Sequence, residues 1–309
     1  MSVRVVVDQL LVLFFQMGAG WAAARLGLLP PAGGKLLSGL IMGLTLPCAL
    51  LASADLGEGS TAAGALLPAC LLLGLLYLVC TLLTLLGARA AGMDPGRRAL
   101  LVTLAVLPNS TFVGIPLVSA LLGQGAGGVY GAAGMVAYNL FFFGWMERLF
   151  DPAARFGPAR LLNPANLATL AMAGMLAAGW HFTGPVQQAL SGIGGCTTPL
   201  ALMLVGLSLA RVRPRALFAN LFLYRITLLR GLVFPLGFAL ALSLAGLRGE
   251  LALGVVVLAA CPSGSLGAVL AEQQGVEPLL AGQAVAHSTL FSLLTLPLTL
   301  LVAGQLLAG

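Results

Sequence analysis

A chain of 309 residues that is 60% hydrophobic and only 8% charged is not an ordinary soluble domain, where about a quarter of residues carry charge. Its formal net charge of +6 does not mark a nucleic-acid partner, because the basic residues are scattered between apolar runs instead of gathered in a patch. A mean hydropathy of +1.05 and 41 glycines suit helices packed closely in lipid.

At about 20 apolar residues per crossing, ten spans are expected, near 5–25, 35–54, 62–87, 98–122, 127–147, 163–182, 186–210, 217–246, 250–273 and 278–303. Arg4 before an apolar run, with alanines at 22–24, imitates a secretory signal. Asp8 and the length of the run argue that the segment is retained. The five cysteines (Cys48, Cys70, Cys80, Cys196 and Cys261) lie inside apolar segments without metal-ligand spacing and read as small core residues.

The loops after spans 1, 3, 5 and 7 hold Arg25, Lys35, Arg89, Arg97, Arg98, Arg148, Arg155, Arg160, Arg211, Arg213 and Arg215, eleven of the fifteen basic residues. The positive-inside rule therefore places these loops in the cytoplasm and both termini outside. The longest connection, 148–162, divides the chain into a five-span repeat at 1–149, a cytoplasmic linker at 150–162 and a second repeat at 163–309. With five spans per half, a duplicated half must insert upside down. Pro47 in LTLPCALLAS corresponds to Pro199 in CTTPLALMLVG at an offset of 152, and Pro108 to Pro262 at 154. Inverted repeats of this kind are common in secondary transporters.

Residues 108–116, PNSTFVGIP, interrupt span 4 where a plain membrane helix has no reason to break. Pro108 lacks an amide hydrogen and keeps Leu107 out of the helical region, while Asn109, Ser110 and Thr111 are helix-capping types. CPSGSLG at 261–267 repeats the device with Pro262, Ser263, Gly264 and Ser265. Pro108 lies ten residues from Arg98 and Pro262 twelve from Glu250, about 15 and 18 Å of helix, so both breaks sit near the midplane of a ~30 Å core. The second half-helices begin there with unpaired amides and positive dipole ends, which suits an anion. The carbonyls that end the first half-helices can instead hold a cation. The plain alternative is a pair of proline kinks re-satisfied by neighbouring helices.

Tyr138, Asn139, His287, Ser288 and Thr289 fall at similar depth in spans 5 and 10. His287 reads equally as a proton carrier or as a neutral imidazole bonded between packed helices. Arg225 and Arg230 in span 8 are expected at the cytoplasmic interface, with Arg230 snorkelling to it, in preference to touching substrate. No carboxylate falls at the midplane, so a tightly bound sodium ion lacks support.

PNSTFVGIPLVSALLG followed by GAAGMVAYNLFFFGW, the Pro47 and Pro199 helices, and CPSGSLGAVLAEQQG followed by HSTLFSLLTLPL together resemble the auxin efflux carrier family of membrane transporters. That resemblance, covering nearly the whole chain, implies ten helices in two inverted five-helix repeats, like the sodium/bile-acid symporters. It implies a scaffold domain from 1–54 and 163–210, also the usual homodimer contact, and a mobile transport domain from 62–149 and 217–303. It places Pro108, Asn109, Thr111 and Ile115 at a substrate carboxylate, with Pro262 and Ser263 opposite and Tyr138 lining the pocket. Ser110, Asn139, Gly264, Ser265 and His287 complete the expected site, with Pro47, Leu51 and Pro199 on its scaffold side. Bacterial members are thought to move malate- or malonate-like acids, and plant members export auxin. The short linker fits a compact bacterial type in the inner membrane.

The expectation is thus an all-α secondary active or facilitative transporter exporting a small organic anion by alternating access, with lipid and anion as partners, no nucleic acid, no metal, and proton coupling, sodium coupling or uniport left open. A sodium-coupled symporter is the alternative within transport. An intramembrane serine hydrolase using Ser263 or Ser265 with His287 is a third, though nothing in the spacing makes serine and histidine meet. A channel is a fourth.

Overall fold

The computed structural model describes residues 3–28, 30, 33–55, 62–154, 157, 162–210, 217, 218 and 220–307. Arg155, Arg160, Arg211, Arg213 and Arg215, on which much of the charge asymmetry rests, lie outside them. Among the described residues there is helix and no strand. Within the same residues six helices are long and apolar enough to cross a membrane: Gly33–Ala52, Leu66–Ala90, Gln124–Phe150, Gly184–Ala210, Leu221–Leu244 and Pro278–Leu307. One face of the Leu66–Ala90 helix leaves Leu67, Leu71, Leu75, Leu78, Leu82 and Leu86 exposed at helical spacing, while Leu73, Tyr77, Cys80 and Thr84 are buried on the other. A bare apolar stripe of that length belongs against lipid. The chain is a polytopic membrane protein.

In order, the helices are α1 (Val3–Arg25), α2 (Gly33–Leu40), α3 (Leu46–Ala52), α4 (Leu66–Ala90), α5 (Pro95–Val106), α6 (Ile115–Leu122), α7 (Gln124–Phe141) and α8 (Glu147–Phe150). There follow α9 (Pro164–Ala177), α10 (Gly184–Gly195), α11 (Thr197–Ala210), α12 (Leu221–Leu228), α13 (Phe234–Leu244), α14 (Gly249–Ala260), α15 (Ser265–Gln273) and α16 (Pro278–Leu307). Starts follow from sequence. Asp94 accepts from Arg97 N at 2.9 Å, and Asn163 from Asn166 N at 2.9 Å, each followed by proline at the first helical position.

Three prolines inside spans are preceded by π turns, whereas Pro297 sits within the uninterrupted α-helix Pro278–Leu307. Ile41–Thr45, Ser110–Gly114 and Leu229–Val233 each end two residues before a proline: Pro47, Pro116 and Pro235. Widening the preceding turn by one residue makes room for a ring that would otherwise strike the carbonyl four residues back. At Pro235 that carbonyl belongs to Gly231, and Thr299 Oγ1 donates to it at 2.7 Å, so it is not left orphaned.

Two cores flank the breaks. In one, Leu46 and Leu50 of α3 meet Ala165 and Met172 of α9, with Ala201 of α11. In the other, Val102 and Val106 of α5 join Val129 and Tyr130 of α7, Val256 and Leu258 of α14, and Leu300 of α16. A close backbone crossing joins α1 and α11. A Cβ on Gly20 would stand 2.1 Å from Met203 O, and one on Gly206 1.9 Å from Met17 O, so the two backbones touch only because both residues lack a side chain.

Candidate functional site

The expected breaks exist, and they meet. α5 ends at Val106, Leu107 is extended, and helix resumes at Ser110; α14 ends at Ala260, Cys261 is extended, and helix resumes at Ser265. The two irregular stretches cross antiparallel, Pro108 beside Ser263. Asn109 N donates to Pro262 O at 2.7 Å, and Gly264 N donates to Leu107 O at 2.9 Å. Each stretch thereby satisfies the other's exposed backbone, as an interior without water requires.

Asn109 organises one side. Its Oδ1 accepts from Phe112 N at 3.1 Å, and its carbonyl accepts from Val113 N and Gly114 N. These bonds use the backbone and Oδ1 and leave Nδ2 for a ligand. On the other side Gly264 precedes α15 without a side-chain cap, so the first amides of that helix remain open. A Cβ on Gly264 would lie 2.9 Å from Tyr138 Oη and 3.1 Å from Pro108 O, which explains glycine there. Tyr138 is itself held by stacking on Phe142, ring centroids 5.8 Å apart.

Two cavities adjoin the crossing. The larger, about 410 Å³, is bordered by Pro108, Asn109, Ser110, Thr111, Tyr138, Asn139, Gly264 and Ser265 among others. The smaller, about 270 Å³, reaches Ser208 and Thr289, and both cavities share Ser38, Asn109, Phe112 and Ser265. Among the described residues no charged side chain lines either. The polarity available to a ligand comes from amides, hydroxyls and carboxamides.

Other expected residues stand elsewhere. Ile115 is 4% exposed on the far face of its helix, where it fills the notch at Gly131. Pro262 and Ser263 form part of the crossing itself but border neither cavity: Ser263 Oγ donates to Leu104 O at 2.7 Å, and its amide donates to Ser288 Oγ at 3.0 Å. His287 borders neither cavity. Its Nδ1 is 2.6 Å from Thr227 Oγ1, and its ring stacks on Phe291 at 4.3 Å, which places it between α12 and α16. Ser263 and His287 thus engage different partners, and no catalytic dyad forms from them.

Pro47, Leu51 and Pro199 border neither cavity; that wall is supplied by Gly34, Ser38 and Met42 of the second span and by Leu204, Val205 and Ser208 of the seventh. The residues that face the space lie 5–13 residues from these prolines, about one and a half to three and a half turns along the helices. Asn139 reaches across to Asn166 of α9, Nδ2 to Oδ1 2.9 Å. Among the described residues no group of three His, Cys, Asp or Glu side chains is placed to hold a metal ion.

The main correction concerns Arg230. It is 1% exposed and does not snorkel to an interface. Its Nη1 donates to Ala105 O at 3.2 Å and to Val106 O, and its Nη2 donates to Ala259 O. Sequence reasoning missed this because an arginine nine residues into a span has a cheap escape along its own stem. The available signal was the pair of frayed carbonyl ends expected at the same depth.

Residues 5–156 and 159–300 match the family described as membrane transport protein, that of the auxin efflux carriers, and the chain belongs to it. No curated protein matches the sequence.

Proposed function

We propose that this family member is a secondary active or facilitative transporter that exports a small carboxylate, auxin-like or malate- or malonate-like, by alternating access. The observation that carries the reading is the reciprocal bonding of the two breaks beside cavities with no charged lining among the described residues. Two half-helices start at that crossing, each with a partial positive end of about half a charge. An anion there meets amides, the Asn109 carboxamide and the Ser265 hydroxyl without a fixed cation to trap it, which suits a carrier that must also release.

The fuller architecture belongs to the same proposal. Ten spans form two inverted repeats with both termini outside a bacterial inner membrane. Spans 1, 2, 6 and 7 form the scaffold and the homodimer contact, and spans 3–5 and 8–10 form the moving body. The cavities support this division, being walled by α2 and α11 on one side and by the crossing on the other. An enzymatic role is disfavoured because the Ser263 hydroxyl is spent on Leu104.

The test is a thermal-shift screen of purified protein against mono- and dicarboxylates, followed by counterflow of each hit in proteoliposomes. Saturable stabilisation by a carboxylate that also exchanges across the bilayer is expected. Stabilisation by neutral or cationic solutes only would overturn the reading.

A further inference from the structure

Arg230 is the bulkiest fully buried side chain among the described residues, and it sits at the end of the crossover opposite the candidate anion site. It lies nine residues into its span from Leu221, about 13 Å of helix, hence near the depth of both breaks. Ala105 and Val106 are the last residues of α5, and Ala259 is the next to last of α14. One guanidinium therefore closes the carboxyl ends of both first half-helices, where orphan carbonyls collect.

The charges balance. Each helix carboxyl end carries about half a negative charge, so two facing ends sum to about one, which the single arginine offsets. Its guanidinium donates to carbonyls, and among the described residues the ionisable groups that act on it are Tyr77, Cys80 and Cys261, none of them a carboxylate. Converging carbonyls at a broken membrane helix are otherwise a site for a transported or coupling cation.

We propose that Arg230 is a resident cation: its guanidinium fills the carbonyl site that an alkali ion would need, so ligand binding and transport by this protein require no sodium or potassium. Removing the side chain opens a cation site at the crossing. Arg230 thereby sets the choice of coupling ion without touching substrate. The inference deepens the transporter reading and rests on it for flux alone.

The test uses the full-length protein in detergent, in sodium, potassium or choline chloride at equal ionic strength, without any carboxylate. The wild-type melting midpoint is expected to be the same in all three salts. Arg230→Ala is expected to melt roughly 5–15 °C lower and to be restored selectively by low-millimolar methylguanidinium or by one alkali ion. A saturable sodium-specific rise in the wild-type midpoint would overturn the proposal, as would an Arg230→Ala protein as stable as wild type and indifferent to every cation. If Arg230→Ala does not accumulate, Arg230→Lys and Arg230→Gln decide: retention by lysine with loss by glutamine supports it, and equal behaviour overturns it. Because no substrate enters these measurements, failure here is distinct from failure of the carboxylate screen. Wild-type counterflow in sodium-free choline buffer is then expected to equal that in sodium.

Discussion

Asn109 donates its backbone amide to the carbonyl of Pro262, 153 residues away, at 2.7 Å. Through that bond a capping residue of one interrupted span is anchored to the break of the other. The position of the Asn109 carboxamide is thus set by both halves of the chain.

Asn109→Ala removes the cap acceptor and the free Nδ2 together. It is expected to cost about 1 kcal/mol of stability and to abolish stabilisation by any carboxylate found in the screen. Asn109→Asp keeps an acceptor for Phe112 N but places negative charge at the cavity. Its melting midpoint without ligand should stay near wild type while carboxylate binding disappears. Full binding by the aspartate variant would remove Asn109 from the site.

Gly264→Ala pushes a methyl group against Tyr138 Oη and Pro108 O. Crowding of this kind costs about 1–3 kcal/mol, and the shift in Tyr138 should weaken ligand binding about tenfold or more. Adding Tyr138→Phe removes the nearest atom and should recover part of the lost stability. Calorimetric titration of the single and double variants reads both effects.

Gly20→Ala forces α1 away from Met203 and is expected to destabilise by about 1–3 kcal/mol. Gly18, on the same helix, has open space around it, with nothing within 4 Å of where a Cβ would stand, so Gly18→Ala should be neutral or gain up to about 1 kcal/mol. Similar melting curves for the two variants would contradict the close crossing.

Asn139→Ala leaves Asn166 Oδ1, on a residue only 8% exposed, without that donor. The expected cost is about 1–3 kcal/mol. Adding Asn166→Ala should cost little more, giving a coupling energy of about 0.5–3 kcal/mol in a double-mutant cycle. Strict additivity would show that the bond contributes nothing.

The breaks could be read from sequence because proline and capping residues act locally: Pro108–Asn109 and Pro262–Ser263 dictate an interruption whatever surrounds them. Depth was equally accessible, since helical rise is fixed. Direction around the helix axis was not. Ile115 and Asn109 lie within two turns of each other, yet one faces the Gly131 notch and the other the cavity. The π turns before Pro47, Pro116 and Pro235 shift the helical phase by a fraction of a turn, which defeats simple face counting. Ser38 and Ser208 were missed because a lone serine in a span has no signature of its own. Tyr77 and Arg230 fit the spacing of the proposed repeat. They are 153 residues apart, between the offsets of the two proline pairs, and both are buried beside the crossing.

The stitch between 107–109 and 262–264 also has a consequence for biogenesis. A ribosome adding about 5–20 residues per second needs roughly 8–30 s to go from the first strand of that stitch to the second. Throughout that interval the earlier break sits in the bilayer with its carbonyls and amides unmatched. A nascent chain stalled before Pro262 should therefore be held by insertion chaperones or cleared by membrane proteases, and neither half expressed alone should accumulate.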